Sequence, residues 1–90
     1  MSKPQFTEAA WDDYLYWHQQ DKKTIAKINR LIVDIMRNGA AKGTGSPESL
    51  KGNMKGCFSR RINEKDRLVY HILDGDVVEI ISCKGHYNDK

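Results

Sequence analysis

The chain has 90 residues and carries 15 Lys and Arg against 12 Asp and Glu, a formal net charge of +3 at pH 7. This length predicts a single domain over residues 1–90 that buries only about 60 to 65% of its unfolded surface, so a partner or second copy would add stability. No apolar run approaches the roughly 20 residues that a membrane span needs, and no secretory segment opens the chain. The sequence therefore argues against a membrane-spanning protein, and we expect a cytoplasmic one.

The two cysteines, Cys57 and Cys83, are distant in sequence and have no metal-ligand spacing. Reduced thiols are the default in a cytosolic chain, but both cysteines fall near predicted strands that could be neighbours, so a disulfide stays open. The sequence contains no zinc motif, no Cys/His nucleophile pair and no Ser/His/Asp arrangement. We therefore expect neither a metal nor a cofactor.

Residues 1–6 form a short polar lead that includes Pro4, and proline is tolerated in an edge strand. Thr7 suits the N-cap of a helix, and Glu8 follows in the first turn, where a negative charge favours the helix dipole. The lead therefore predicts a short edge strand followed directly by a helix.

The first helix is predicted over about residues 8–20 from an apolar stripe at helical spacing. The stripe consists of Trp11, Tyr14, Leu15 and His18. Aromatic residues at this spacing are more typical of a core than of a ligand site, yet they exceed what one small core can bury. This excess predicts a homodimer.

Asp21 is placed to cap a second helix, which Asn38-Gly39 ends with residues that tolerate a left-handed turn. Its apolar stripe consists of Ile25, Ile28, Ile32, Ile35 and Met36. Two helices joined this tightly form an antiparallel hairpin, and the stripe needs an apolar surface to cover. The composition then changes between Gly39 and Gly56, where glycines and a proline predict a surface loop anchored by Leu50 and Met54.

From Phe58 onward, apolar residues alternate with polar ones as in strands with one buried face. The even-numbered apolar set is Phe58, Ile62, Leu68, Tyr70, Ile72, Val78 and Ile80, and the odd-numbered polar set is Ser59, Arg61, Asn63, Arg67 and His71. The exceptions are Arg60 in the first set and Val69, Leu73, Val77 and Ile81 in the second. Asp74-Gly75 predicts a two-residue hairpin, and residues 63–66 supply the preceding turn. The pattern predicts a three-stranded antiparallel meander.

These elements predict an α+β fold in which two N-terminal antiparallel helices pack on an antiparallel β-sheet. The apolar sheet face would lie against the helices, and the opposite face would collect arginines. Basic residues concentrate in the second half of the chain, which suggests a polyanionic partner, although a solvated charged surface explains the same excess.

A carboxylate, several cations and an imidazole lie within this small domain. They are Glu48, Lys51, Arg61, Arg67, His86 and Tyr87. Phosphodiester cleavage needs such a set: a base for the nucleophile, positive charge for the transition state, and an acid for the leaving oxygen. Each residue alone is better explained as an exposed loop acid, a solvated strand cation or part of a frayed tail.

Several segments together resemble the YoeB/Txe family of toxin-antitoxin toxins, within the RelE superfamily. They are Trp11-Asp12-Asp13-Tyr14-Leu15-Tyr16-Trp17, Pro47-Glu48-x-Leu50-Lys51, Phe58-Ser59-Arg60-Arg61-Ile62, Arg67-Leu68-Val69-Tyr70 and His86-Tyr87. The resemblance runs from about Phe6 to Tyr87 and implies a RelE-like fold with two helices against a twisted antiparallel sheet. Five segments in the same order are specific together, whereas each alone is weak.

The resemblance implies a metal-independent, ribosome-dependent endoribonuclease that cuts messenger RNA in the decoding site and inhibits translation. On that resemblance, Glu48 is the general base, Arg67 stabilises the transition state and His86 is the general acid. Tyr87 positions or assists His86.

Lys51 and Arg61 are similar to residues that contact RNA and phosphate in the family. The partners implied are the ribosome, messenger RNA and a YefM/Axe-like antitoxin that is acidic and partly disordered. The alternatives are a ParE-like toxin that binds DNA gyrase without hydrolysis, and a non-catalytic RNA-binding or interaction module. An acid and a base are of no use to a binding inhibitor, which argues against the first of these.

The chain departs from the family pattern at several positions. Residues 88–90 extend past the His-Tyr pair, Ser49 stands where a proline is usual, and Cys57 replaces one member of an aromatic pair. Lys65-Asp66 stands where the family tends toward Glu-His. None of these changes removes a proposed catalytic residue.

Overall fold

The structure is a computed structural model, and it describes residues 3–85. Its elements in chain order are β1 (Gln5–Phe6), α1 (Glu8–Gln20), α2 (Lys22–Asn38), β2 (Glu48–Ser49), a 3-10 turn (Gly52–Met54), β3 (Phe58–Arg61), β4 (Arg67–Leu73) and β5 (Val77–Ser82). The strands form one sheet in the order β1-β5-β4-β3-β2. Strands β2 to β5 are antiparallel, and β1 joins β5 in parallel. The predicted α+β fold is confirmed, with a mixed sheet because of the parallel edge strand.

Helix α1 begins as predicted, since the Thr7 hydroxyl accepts a hydrogen bond from the Ala10 N–H at 3.1 Å. The predicted stripe is wrong in part, because Trp11 is 48% exposed and Leu15 is 43% exposed. Ala10 is fully buried instead, and Tyr14 and Trp17 pack against the core. The helix faces the sheet through positions 10, 14 and 17, so positions 11, 15 and 18 turn outward.

Helix α2 carries the larger apolar face. The Asp21 carboxylate caps it by accepting hydrogen bonds from Lys23 N–H and Thr24 N–H. The buried residues are Thr24, Ile28, Leu31, Ile32 and Ile35, so the predicted stripe is confirmed at three positions, while Ile25 and Met36 are half-buried. Gly39 ends the helix with φ 92°, a conformation that favours glycine. No helix within residues 3–85 is long and apolar enough to cross a membrane.

The strand register places the even-numbered residues on the helix side. Phe58 pairs with Tyr70 and Tyr70 with Ile80, so the even-numbered apolar face is confirmed except at Ile72, which is 39% exposed. The hairpin between β4 and β5 has three turn residues, because Leu73 pairs with Val77, and the predicted two-residue turn is wrong. The two positive φ angles fall on residues 75 and 76, one position later than a turn centred on Asp74-Gly75 requires.

A bulge explains why the alternation fails near the end of β5. Val69 pairs with Ser82 and Tyr70 with Ile80, which leaves Ile81 as the extra residue. The following odd-numbered residue, Cys83, is therefore fully buried in the core. Burial is the main cause that raises the pKa of the Cys83 thiol to about 12, and both cysteines are free thiols.

The segment between α2 and β3 is more ordered than the predicted surface loop. It contains β2, which pairs with β3, and the 3-10 turn. Leu50 is buried as predicted, and Met54 is half-buried. Glu48 therefore lies in a two-residue edge strand and not in a loop, a correction that fixes its position relative to β3.

Candidate active site

Glu48 and the arginines of the predicted site share the sheet face away from the helices. Glu48 pairs with Ser59 across β2 and β3, and Arg61 pairs with Arg67 across β3 and β4. Paired residues in antiparallel strands point to the same side, and Ser59 and Arg61 alternate with the buried Arg60. The register therefore brings Glu48, Arg61 and Arg67 onto one surface.

Glu48 and Arg67 form a loose ion pair on this surface. Arg67 Nη1 lies 3.8 Å from Glu48 Oε1, and the two side chains are 18% and 54% exposed, respectively. An exposed pair at this separation contributes less than about 1 kcal/mol to stability. The Glu48 carboxylate is therefore exposed on this surface, and the half-buried Arg67 side chain lies beside it.

The second arginine adds positive charge at the same place. Arg61 is exposed and lies directly opposite Arg67, and like charges in this arrangement are unfavourable. A phosphate group between them would relieve the repulsion. Lys51 lies three residues after Glu48, exposed, at the start of the 3-10 turn. This surface suits a phosphodiester with a carboxylate beside it.

The predicted acid His86 and its neighbour Tyr87 lie outside the described residues. The chain is described as far as Gly85, whose N–H donates to Asp66 Oδ1 at 2.7 Å and whose carbonyl accepts from the Arg67 N–H at 3.0 Å. Asp66 is 9% exposed. The chain therefore reaches the end of β4 that carries Arg67 immediately before position 86.

Helix α1 holds the same C-terminal segment from the other side. The Cys83 N–H donates to Asp13 Oδ2 at 3.0 Å, and the Trp17 indole N–H donates to the Cys83 carbonyl at 2.8 Å. The Thr7 hydroxyl donates to the Ile81 carbonyl at 3.1 Å. Asp13, Trp17 and Asp66 could not be predicted as supports, because their partners are backbone groups about 20 to 70 residues away in sequence, which periodicity does not reveal.

Arg60, the charged exception in the apolar set, is fully buried and fully engaged. Its Nε donates to the Tyr70 hydroxyl at 2.9 Å, and its guanidinium forms an ion pair with Asp34. The Tyr70 hydroxyl donates in turn to the Ala40 carbonyl at 2.6 Å. The Thr44 N–H and then the Arg60 guanidinium lower the pKa of Asp34, so this carboxylate stays ionised beside the arginine.

A second carboxylate network joins three strands on the face that carries Glu48. His71 Nε2 lies 2.6 Å from Glu79 Oε1, and the Gln5 side-chain amide donates to Glu79 Oε2 at 2.9 Å. The hydrogen bond from His71 and then that from Gln5 lower the pKa of Glu79. The sequence offered no partner for His71, because Glu79 becomes its neighbour only through the β4–β5 register.

Comparison with known proteins places this geometry in a family. The model of the family described as "YoeB-like toxin of bacterial type II toxin-antitoxin system" matches residues 6–87. The chain is 49% identical over 82 residues to toxin YoeB of Escherichia coli strain K12, which covers 91% of this chain and 95% of the relative. It is 52% identical over 82 residues to toxin YoeB of Synechocystis, covering 91% of this chain and 93% of the relative.

Solved structures agree with the sequence comparison. A YoeB-YefM toxin-antitoxin heterotetramer from Staphylococcus aureus matches with a TM-score of 0.89 and 48% identity over 97% of this chain and 99% of that one. A YoeB dimer from the same organism matches with a TM-score of 0.87 and 49% identity over 94% and 97% of the two chains. YafQ from E. coli, at 14% identity and a TM-score of 0.77 over 96% and 94%, shares the fold. The chain therefore belongs to the YoeB-like toxins of bacterial type II toxin-antitoxin systems.

Proposed function

We propose that this toxin is a ribosome-dependent endoribonuclease that cuts messenger RNA in the decoding site. The observation that carries the proposal is the accessible Glu48–Arg67 pair, 3.8 Å apart, with Arg61 beside it on the same sheet face. A carboxylate next to two guanidinium groups supplies a base and positive charge at one place, as phosphodiester cleavage requires.

In the proposed reaction, Glu48 takes the proton from a ribose 2′-hydroxyl, and the 2′-oxygen attacks the adjacent phosphorus. Arg67 neutralises the charge that develops on the phosphoryl oxygens. His86 protonates the 5′-oxygen as its bond to phosphorus breaks. The products are a 2′,3′-cyclic phosphate and a 5′-hydroxyl, with the proton from the nucleophile left on Glu48.

The remaining residues of the predicted set bind and orient the substrate in this proposal. Arg61 and Lys51 contact the phosphate backbone, and Tyr87 assists His86. No metal takes part, because the guanidinium groups supply the electrostatic stabilisation. The ribosome holds the nucleophile, phosphorus and leaving oxygen in line, and such alignment lowers a reaction barrier by several kcal/mol.

The partners we propose follow from relatives and from the surface of this chain. The S. aureus relatives form a complex with YefM and a YoeB dimer. For this chain we propose a YefM/Axe-like antitoxin, acidic and partly disordered, that contacts Arg61, Arg67 and His86 and folds as it binds. We also propose a homodimer, since Trp11, Leu15 and Tyr16 on α1 are exposed by 42 to 48%.

Cleavage of a defined message, with and without ribosomes, tests the proposed activity. We expect new 5′ ends within the codon in the decoding site only when ribosomes are present. A DNA gyrase supercoiling assay on the same preparation tests the ParE-like alternative, which the family membership does not favour. Gyrase inhibition without message cleavage would overturn the proposal.

A further inference from the structure

The buried Arg60 lies between two residues that border the proposed site. Its predecessor Ser59 pairs with Glu48, and the N–H of its successor Arg61 donates to the Gly45 carbonyl at 2.7 Å. Side chains alternate along a strand, so the Arg60 side chain leaves the sheet on the helix side while Glu48 lies on the other. Arg60 is therefore close to the base along the backbone but contacts no substrate.

The Arg60 guanidinium binds the backbone of the segment that connects α2 to Glu48. It donates to the carbonyls of Thr44 at 2.9 Å, Gly39 at 2.8 Å and Lys42 at 2.6 Å. Asp34, its ion-pair partner on α2, also accepts a hydrogen bond from the Thr44 N–H at 3.0 Å. One side chain thus connects the end of α2, the segment and β3.

The segment packs on Arg60 and Asp34 without spare room. A Cβ added at Gly43 would lie 1.9 Å from Asp34 Oδ2 and 2.8 Å from Arg60 Nη1. A Cβ at Gly45 would lie 2.8 Å from Leu31 Cδ2. Both glycines have positive φ angles of 120° and 83°, which other residues rarely adopt. The backbone path from Gly39 to Gly45 is therefore tightly constrained.

We propose that Arg60 is a positioning residue that sets the place of Glu48 by fixing the segment from Gly39 to Gly45; this rests on the proposed function. An apolar side chain would fill the same core volume without the desolvation cost of a buried guanidinium. What an apolar side chain lacks is a planar set of donors that holds separate carbonyls at defined positions. The segment then enters β2 with one geometry, and the Glu48 carboxylate faces the 2′-hydroxyl.

Glycine variants test this without removing a core residue. Gly43→Ala places a methyl group where Asp34 Oδ2 and Arg60 Nη1 lie, so it disturbs the contacts of these side chains with the segment. Gly56→Ala is the matched control, since Gly56 also has a positive φ of 94° and its added Cβ meets nothing within 4 Å. In single-turnover cleavage on ribosomes, we expect Gly43→Ala to lower the rate constant at saturation by about 10- to 100-fold, because small misplacements of a catalytic group have effects of this size. Ribosome binding should be unchanged, and Gly56→Ala should cleave at nearly the parental rate.

Double variants separate positioning from general damage. If Arg60 and its segment act through Glu48, Gly43→Ala should have almost no further effect on the residual rate of Glu48→Ala, yet keep its full effect in His86→Ala. Arg60→Lys, which keeps the charge but not the planar donors, should behave like Gly43→Ala. An undiminished Gly43→Ala effect in the Glu48→Ala background, or a parental rate for Gly43→Ala alone, would overturn the positioning role. If the parental protein cleaves the message in the same assay, such a result overturns only the positioning role. If the parental protein does not cleave, the proposed function itself fails.

Discussion

At the scale of residues, the proposed site divides its work between two oxygens of one phosphodiester. Glu48 acts at the nucleophile and His86 at the leaving group, while Arg67 serves the phosphoryl oxygens between them. The Glu48–Arg67 contact, 3.8 Å long, fits this division, because it places the base beside the cation that serves the phosphoryl oxygens. The two ends of the reaction can be tested independently.

A sulfur leaving group separates the acid from the base. We expect His86→Ala to slow single-turnover cleavage by about 10²- to 10⁴-fold, the usual loss for one acid or base. A substrate with a 5′-thio leaving group needs little protonation, so it should recover much of this loss. Glu48→Ala should show no such recovery. Equal recovery in both variants would mean that His86 is not the acid.

Asp66 allows a test of how the C-terminal segment is held. Asp66→Ala removes the acceptor of the Gly85 N–H, and leaving a part-buried donor unpaired costs about 1 to 3 kcal/mol. Asp66→Asn keeps an oxygen acceptor and should lose less. Urea unfolding of both variants measures the difference, and equal stability of Asp66→Ala and the parent would show that this bond contributes nothing.

The sequence predicts these residues unequally. Glu48, Arg61 and Arg67 could be predicted to meet, because the family pattern names them and the strand alternation puts the arginines on one face. The roles of Arg60 and Asp66 could not be predicted, since each side chain forms hydrogen bonds with backbone groups of a segment distant in sequence. The only sequence signal for Arg60 was its place in the even-numbered apolar set. Its hydrogen-bond partners depend on the tertiary fold.

At the scale of elements, caps and hydrophobic periodicity predicted the helices, since Thr7 and Asp21 are strong local signals. The buried face of α1 was partly misassigned because aromatic residues lie all round that helix, so periodicity does not choose between the face with Trp11 and Leu15 and the face with Ala10 and Trp17. Strand β2 is two residues long, too short for any alternation. Its pairing with β3 is a tertiary contact.

Acid should weaken the connection between β4, β5 and β1 through Glu79. The pKa of Glu79 is lowered in the folded protein from its ordinary value of 4.5. Ionised Glu79 therefore stabilises the fold at pH values above 4.5, and this stabilisation is lost as the pH falls through the lowered pKa of the folded state. We therefore expect Glu79→Gln to be less stable than the parent at neutral pH and nearly equal to it well below pH 4.5. Urea unfolding across this pH range measures the stability of the parent and of Glu79→Gln. Glu64→Gln, at an exposed turn position, is the control. A difference that persists unchanged in acid would refute the ionised Glu79 as its source.

At the scale of the whole molecule, a small core and an apolar helix surface favour association. Light scattering across micromolar concentrations should give twice the mass of the chain. Leu15→Gln on α1 should shift the protein toward monomer, whereas Ile72→Thr, at another exposed apolar position, should not. A parental protein that is monomeric throughout would refute the homodimer.

In the proposed reaction, the message supplies its own nucleophile, the 2′-hydroxyl next to the cut phosphate. The most direct measurement is single-turnover cleavage, on ribosomes, of a message that carries one 2′-deoxynucleotide on the 5′ side of the scissile bond. We predict that this substrate is not cut, while the matched all-ribose message yields a 2′,3′-cyclic phosphate and a 5′-hydroxyl. Cleavage of the deoxy-substituted message at the same bond would contradict attack by the 2′-hydroxyl.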